Sequence, residues 1–434
     1  MKNNRLIKNT FLLILGGFIT KILGFVIKIL YTRYLKEEGV GLITLIFPTY
    51  SLLLTISSFS LPTVVTKFIA KNNYRKSKIL FSSFWITTII NTILIIGFIL
   101  ISNYFATNLL HNDKCGILIK ILCFTLPFVS TTSIIKAYFF GIENVKPIIF
   151  SNVSEEIIKL FMIIIFLPRI VNQNILYGAS FYLLINLICE IMSFIILWIF
   201  LPKKVNISKL SYKYDFKCGN ELLKTSFPIL SGRLIGNLGY FFEPIILSSL
   251  LLYKGFSKDF IMINYGYFQG YVIQLLIMPS FFINALSSNM LPVISKYNSD
   301  KKYKNIKKVI NKSILLITIG GFIFLSILFI YGKTIMNILY NTNNAYKYLK
   351  SLIPFFILFY IENPIFTSLQ ALDQEKIVFK ISTIGIILKY ISMMFLILFN
   401  YGFYSLIYSE IINIIFVISL GIYYLKKYFY YSSQ

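Results

Sequence analysis

Long windows of about twenty mostly apolar residues, the length needed to cross a bilayer core, recur from one end of this chain to the other. That single feature excludes most folds. Strands of a membrane barrel would show alternating polarity in segments of about ten residues, and none is visible. The mean hydropathy is +0.76 and only 13% of residues are charged, about half the charged share of an ordinary soluble domain. The expected fold class is therefore an all-α polytopic membrane protein. Its predicted spans are 10–34, 40–70, 79–103, 115–140, 148–170, 175–201, 221–252, 265–295, 309–331, 348–372, 377–399 and 402–425.

A net charge of +26 would suggest nucleic acid in a soluble protein. Here the cations sit in short loops between apolar blocks, with no extramembrane domain to present a basic surface, so no nucleic-acid partner is expected. Every other connection is basic. One side collects 23 Lys and Arg and the other 8, so the positive-inside rule puts both termini in the cytoplasm. Lys2, Arg5 and Lys8 precede an apolar run that continues past residue 30 without a cleavage site, which reads as a first span rather than a removed signal. Cys115, Cys123, Cys189 and Cys218 lack metal or redox spacing and read as small buried residues or loop thiols.

The segment 202–220 divides the chain nearly in half, and the halves repeat. Lys8-Asn-Thr-Phe11 aligns with Lys224-Thr-Ser-Phe227 at an offset of 216, and Gly141-Ile-Glu-Asn-Val-Lys146 with Ala371-Leu-Asp-Gln-Glu-Lys376 at 230. The change of offset implies an insertion in a long 253–264 loop. The expected organisation is an N-lobe over 1–201, a cytoplasmic linker over 202–220 and a C-lobe over 221–434. These would be two six-helix bundles related by a pseudo-twofold axis around a central cavity.

An ionisable side chain in mid-membrane costs roughly 2.5–3.5 kcal/mol on insertion scales, so each one is a functional candidate. Gly17, Lys21, Gly24 and Lys28 share one face of the first span. Through the repeat they map onto Arg233, Asn237, Tyr240 and Pro244 of the seventh. The plain alternative is that Lys28 snorkels to the interface and the glycines serve close helix packing. The fifth span carries Glu155, Glu156 and Lys159, the first and last spaced for an intrahelical ion pair, and Lys159 aligns with Lys389. Glu243, Glu362 and Glu410 are further acidic residues inside or near spans, while Lys136, Lys380 and Glu190 read as lying near helix ends. A paired charge locking helix to helix competes with a role in substrate binding or coupling for all of these. The one histidine, His111, rules out a His-based metal site, and no nucleotide-binding or hydrolase motif occurs. No catalytic residue, metal or cofactor is expected, and an enzyme is not.

The chain resembles the stage V sporulation protein B family of the multidrug/oligosaccharidyl-lipid/polysaccharide flippase superfamily. The stretches that carry the resemblance are Thr20-Lys-Ile-Leu-Gly-Phe25, Leu61-Pro-Thr-Val-Val-Thr-Lys-Phe-Ile-Ala70, Tyr138-Phe-Phe-Gly-Ile-Glu-Asn-Val-Lys-Pro147, Ser154-Glu-Glu-Ile-Ile-Lys159, Leu222-Leu-Lys-Thr-Ser-Phe-Pro-Ile-Leu230, Arg233-Leu-Ile-Gly236 and Leu291-Pro-Val-Ile-Ser-Lys296. Lys21 takes the place of a basic residue of the related lipid II flippases, whereas the arginine–aspartate pair that follows there is replaced by Ile27 and Lys28.

The resemblance implies a monomeric alternating-access carrier in the bacterial cytoplasmic membrane. Its load would be an undecaprenyl-pyrophosphate-linked saccharide or peptidoglycan precursor, moved to the outer leaflet for spore cortex or envelope polysaccharide synthesis. Lys21, Lys28, Arg233, Asn237 and Tyr240 would line the substrate site. Glu155, Lys159, Glu243 and Lys389 would form ion pairs or take part in coupling to the membrane potential or a monovalent cation. The alternative is a cation-coupled multidrug exporter of the same superfamily.

Overall fold

A computed structural model of the chain describes residues 2–72, 74–202 and 215–432, with side chains described from Leu12 to Tyr430. Most of the expected linker, 203–214, lies outside the described residues, as do the side chains of Lys2, Arg5 and Lys8. Among the described residues there is no strand.

The first helix, α1 (Lys2–Ser58), is two helical segments that meet at a kink at Lys36, whose φ of 52° and ψ of −167° are not helical. After a left-handed pair at Phe59 and Ser60 the chain enters α2 (Leu61–Lys71). Then follow α3 (Lys76–Tyr104), α4 (Cys115–Gly141), α5 (Lys146–Val171), α6 (Ile175–Ile199) and α7 (Phe216–Tyr253). The remaining helices are α8 (Lys258–Tyr265), α9 (Ile273–Leu276), α10 (Ser280–Ser299), α11 (Tyr303–Tyr340), α12 (Tyr346–Ala371), α13 (Glu375–Leu398) and α14 (Tyr404–Ser432). Two π-helical turns occur, Phe105–Leu109 and Gly266–Val272.

Nine helices among the described residues are long and apolar enough to cross a membrane, ten if the bent pair Lys258–Leu276 and Ser280–Ser299 is one span. Two corrections of physical origin bring that number to the twelve expected. Leu12–Lys71 counts once there, yet its 60 residues would reach about 90 Å, three bilayer cores, so the break at Lys36 makes it two crossings. Helix α5 is a further crossing, its otherwise apolar length interrupted by Glu155, Glu156 and Lys159. The chain is a multi-pass membrane protein.

Three expectations shift in detail. The supposed 253–264 loop contains α8, started by Ser257, whose Oγ accepts from the Phe260 amide at 3.2 Å. The eighth span bends by 54° between Leu276 and Ser280, where Pro279 withholds a backbone donor. The basic segment 296–312 is almost wholly helical. Only 300–302 lies between α10 and α11, and the 38 residues of α11 extend about 57 Å, well past the hydrocarbon.

The chain forms two compact units, 1–245 and 246–434. The boundary falls inside α7 rather than at the 202–220 linker, because the front of α7 is built into the first unit. Cys218 and Leu222 join Leu61, Val65 and Ile69 of α2, Ile79 of α3 and Ile134 and Tyr138 of α4 in one buried cluster. Gly141 closes this cluster: a Cβ there would fall 2.8 Å from Ile69 Cβ. Thr66 Oγ1 donates to the Ala137 carbonyl at 3.2 Å across the same contact. Deeper in the unit, Ser57 Oγ donates to Asn91 Oδ1 at 2.7 Å and Asn91 Nδ2 to Ser130 Oγ at 2.9 Å. Such buried polar links hold helices together where lipid removes the hydrophobic driving force between them.

The second unit packs Ile294, Ile306, Ile310, Leu369, Val378 and Ile418 into its own cluster. Tyr360 OH donates to the Leu276 carbonyl at 2.6 Å, satisfying a backbone oxygen freed at the bend. All four cysteines are free and buried, matching their reading as packing residues.

Candidate functional site

The first half of α1 positions its cations through helical spacing, and the contacts around its glycines decide how that face is used. A Cβ on Gly17 would meet no atom within 4 Å, and one on Gly24 would meet only the carboxylate of Glu156, at 3.9 Å from each oxygen. Close helix packing therefore does not explain these two glycines. Lys21 is exposed, Lys28 is half-buried, and neither has an ion-pair partner among the described residues. Glu156 lies within electrostatic reach of Lys21.

Helix α7 carries the matching positions within the same unit. Arg233 is exposed and donates through Nη2 to Thr63 Oγ1 at 3.1 Å. Gly232 and Gly236 on either side of it also face open space. Asn237 is committed at both ends of its amide: Ser51 Oγ donates to its Oδ1 at 3.0 Å and its Nδ2 donates to Thr55 Oγ1 at 2.7 Å. It is a bridge between α7 and the second half of α1. Tyr240 is half-buried and Glu243 is 2% exposed.

The acidic residues of α5 find partners that linear spacing does not reveal. Glu155 meets Lys136 of α4 at 3.9 Å, rather than Lys159 one turn along its own helix. Lys159 is half-buried within the field of Glu155, Glu156 and the Tyr182 hydroxyl. From α6, Glu190 joins the same charged group, and its Oε2 is enclosed without a hydrogen-bond partner. Helices α4, α5 and α6 thus gather Lys136, Lys159, Glu155, Glu156 and Glu190. Reading Lys136 and Glu190 as residues near helix ends missed this, and the signal was their charge in otherwise apolar segments.

In the second unit, Lys389 of α13 pairs with Glu410 of α14 at 2.5 Å, the two side chains 13% and 18% exposed. Glu362 of α12 lies near enough to Glu410 to feel its charge and lines a cavity of about 370 Å³ with Asn284 and Asn363. Asn363 Nδ2 donates to Asn284 Oδ1 there. The repeat-related lysines 159 and 389 therefore each face carboxylates inside their own unit. Among the described residues no group of three or more His, Cys, Asp and Glu could hold a metal ion.

At the cytoplasmic end expected from the charge bias, the start of α7 is clasped to the first unit. Asp215 caps α7, its Oδ1 accepting from the Cys218 amide at 3.0 Å, while Oδ2 takes the Lys78 ammonium at 2.6 Å. The Asp215 amide donates to Ser82 Oγ at 3.2 Å. The hydrogen bond from Lys78, reinforced by that from Cys218, holds the Asp215 carboxyl below its ordinary range. Tyr74 donates to Glu221 Oε1 at 2.7 Å, and this bond to an anion pushes the phenol up to about 12.

Residues 6–298 match the family model described as polysaccharide biosynthesis protein, and residues 270–396 match the model described as MatE. The chain is 29% identical over 399 residues to stage V sporulation protein B of Bacillus subtilis (strain 168), covering 90% of this chain and 77% of that one. It is 23% identical over 426 residues to lipid II flippase MurJ of the same organism, covering 89% and 76%. Its fold is that of a solved inward-facing multidrug resistance MATE family transporter of the MOP superfamily, with a TM-score of 0.79 at 10% identity over 95% of each chain. A MOP superfamily transporter from Pyrococcus furiosus, described as having a binding pocket of reverse polarity, matches with a TM-score of 0.64 at 11% identity over 99% and 96%.

Proposed function

The chain belongs to the polysaccharide biosynthesis protein family of the multidrug/oligosaccharidyl-lipid/polysaccharide flippase superfamily, and from that premise we propose that it is a flippase for an anionic lipid-linked saccharide. The load is an undecaprenyl-pyrophosphate-linked saccharide or peptidoglycan precursor, carried from the cytoplasmic to the outer leaflet of the bacterial cell membrane by alternating access. The observation that supports this most is the pair of cationic faces on α1 and α7. Lys21, Lys28 and Arg233 lack carboxylate partners among the described residues, and Gly17, Gly232 and Gly236 beside them border open space. Unpaired cations in a membrane helix are costly unless an anion or water meets them. A diphosphate suits them, arginine offering the planar fork that matches two phosphate oxygens. Tyr240 is proposed to border the bound head group. Asn237 acts through the α1–α7 bridge. The repeat halves at 1–201 and 221–434, distinct from the packing units that divide within α7, the cytoplasmic 202–220 linker and cytoplasmic termini complete this reading, with a monomer as the working unit.

With the cell interior negative, outward movement of each anionic charge is favoured by about 2.3 kcal/mol per 100 mV. Coupling to a monovalent cation, a proton taken up at the Glu155, Glu156 and Glu190 group, would add drive, and no other cofactor is invoked. The enclosed, unpartnered oxygen of Glu190 also favours a second reading, a cation-coupled multidrug exporter. Transport in vesicles holding the purified chain separates the two. A fluorescent lipid-linked sugar pyrophosphate should reach the outer leaflet faster than in empty vesicles, while a cationic dye should not be pumped. Dye export without sugar movement would overturn the flippase reading.

A further inference from the structure

The second unit holds a cavity of about 770 Å³ that the transport reading does not use. It lies where the C-terminal end of α11 and the N-terminal end of α12 meet α8 and the π-helical turn at Tyr267. Hairpin connections place all these ends on one face of the unit, the face opposite the basic loops. Lys333 comes from α11, and Lys347 and Lys350 come from the first turns of α12.

Three ammonium groups converging here run against two electrostatic rules. Cations are scarce on this face by the positive-inside bias, and the N-terminal dipole of a helix disfavours cations in its first turns. Elsewhere in this unit Lys254 is held by hydrogen bonds to the Leu398 carbonyl and to Asn400 Oδ1. Lys333, Lys347 and Lys350 have no carboxylate partner among the described residues. Lys347, which lines the cavity, also sits over the Tyr348 ring, 4.8 Å from its centroid.

The rest of the wall supplies hydroxyl-binding chemistry. Asn343 and Asn344 offer amides, and Asn344 Nδ2 donates to the Tyr267 hydroxyl at 3.0 Å, so the phenol is held in place. Phe260 and Tyr346 supply aromatic surface. The volume falls in the range of small-molecule sites. Cations, amides and rings in one cleft fit a phosphate ester carried on a hydroxyl-rich group, and do not suit a cationic ligand.

We propose that this cavity binds the phosphate ester of a polyhydroxylated head group at the outer surface of the second unit, from either a saccharide phosphate or a glycerol-bearing phospholipid. The side of the membrane rests on the orientation proposed above; the chemistry of the cavity does not. The full-length chain is titrated calorimetrically with N-acetylglucosamine 1-phosphate, inorganic phosphate and neutral N-acetylglucosamine. The same chain in nanodiscs is assayed by native mass spectrometry for retained phosphatidylglycerol against phosphatidylcholine.

The comparison variant combines Lys333→Gln, Lys347→Gln and Lys350→Gln, all exposed positions. Sugar phosphate binding at least tenfold tighter than inorganic phosphate, lost at least thirtyfold in the variant, supports the proposal with a saccharide source. Phosphatidylglycerol retained by the parent and lost by the variant supports it with a phospholipid source. Equal binding of neutral and phosphorylated sugar with no lipid preference, or no difference between parent and variant with any probe, overturns it. Because no readout uses transport, an inactive parent in vesicles would sink the flippase reading and leave this result standing.

Discussion

Replacing Lys389 with Met strands the Glu410 carboxylate, and the size of that effect follows from the geometry. The two groups meet at 2.5 Å with side chains 13% and 18% exposed, so water screens the survivor little. Breaking a buried pair costs about 3–5 kcal/mol. The residual exposure puts this one at the lower end, about 3 kcal/mol, or about 150-fold in the folded-to-unfolded ratio. Against a typical stability of about 5–15 kcal/mol, the Lys389→Met chain should accumulate poorly in the membrane and aggregate several degrees earlier when heated in detergent. Glu410→Gln leaves a buried ammonium and should do the same. The double variant removes both charges and should recover most of the loss, since neither substitution then leaves an uncompensated charge buried. The assay is fluorescence-detected gel filtration after heating, with membrane level measured in parallel. Normal stability of either single variant, or a double variant as poor as the singles, would refute the pairing as a structural lock. Normal level with lost transport in the singles would instead move Lys389 into coupling.

The remaining expectations are shorter. Lys21→Gln and Arg233→Gln should each abolish sugar-lipid transport at normal membrane level, with Lys21→Arg tolerated better than Arg233→Lys because only arginine grips two oxygens; low abundance rescued by Glu155→Gln or Glu243→Gln would assign these cations to scaffolding. A cysteine at exposed Asn343 should react with an impermeant reagent added outside cells, whereas one at Ser211, outside the described residues, should react only after permeabilisation; the reverse pattern inverts the topology. The depressed Asp215 carboxyl contributes stability above the ordinary aspartate range and loses it as pH falls through the folded value. The melting gap between parent and Asp215→Asn should thus be constant from pH 5 to 8 and shrink below about pH 4. A gap that widens in acid would contradict the Lys78–Asp215 clasp.

Hydropathy alone determined that this chain crosses a membrane many times, because length and apolar content are local properties of each segment. Helical periodicity likewise determined that Lys21, Gly24 and Lys28 share a face and that α5 carries a charged patch. Tertiary packing decided which groups meet. Spacing offers Lys159 to Glu155, yet the rotation of α4 against α5 brings Lys136 instead. The repeat assigns Asn237 to a substrate-facing stripe, while the approach of α7 to α1 occupies both ends of its amide with Ser51 and Thr55. The same approach draws residues 216–245 into the first unit, although the repeat counts them with the second half. Lys333 and Lys350 lie on separate helices, and only the meeting of α11 with α12 puts them in one cavity. A periodic pattern fixes the face of a helix, whereas the partner of that face depends on the tilt and rotation of every neighbour packed against it.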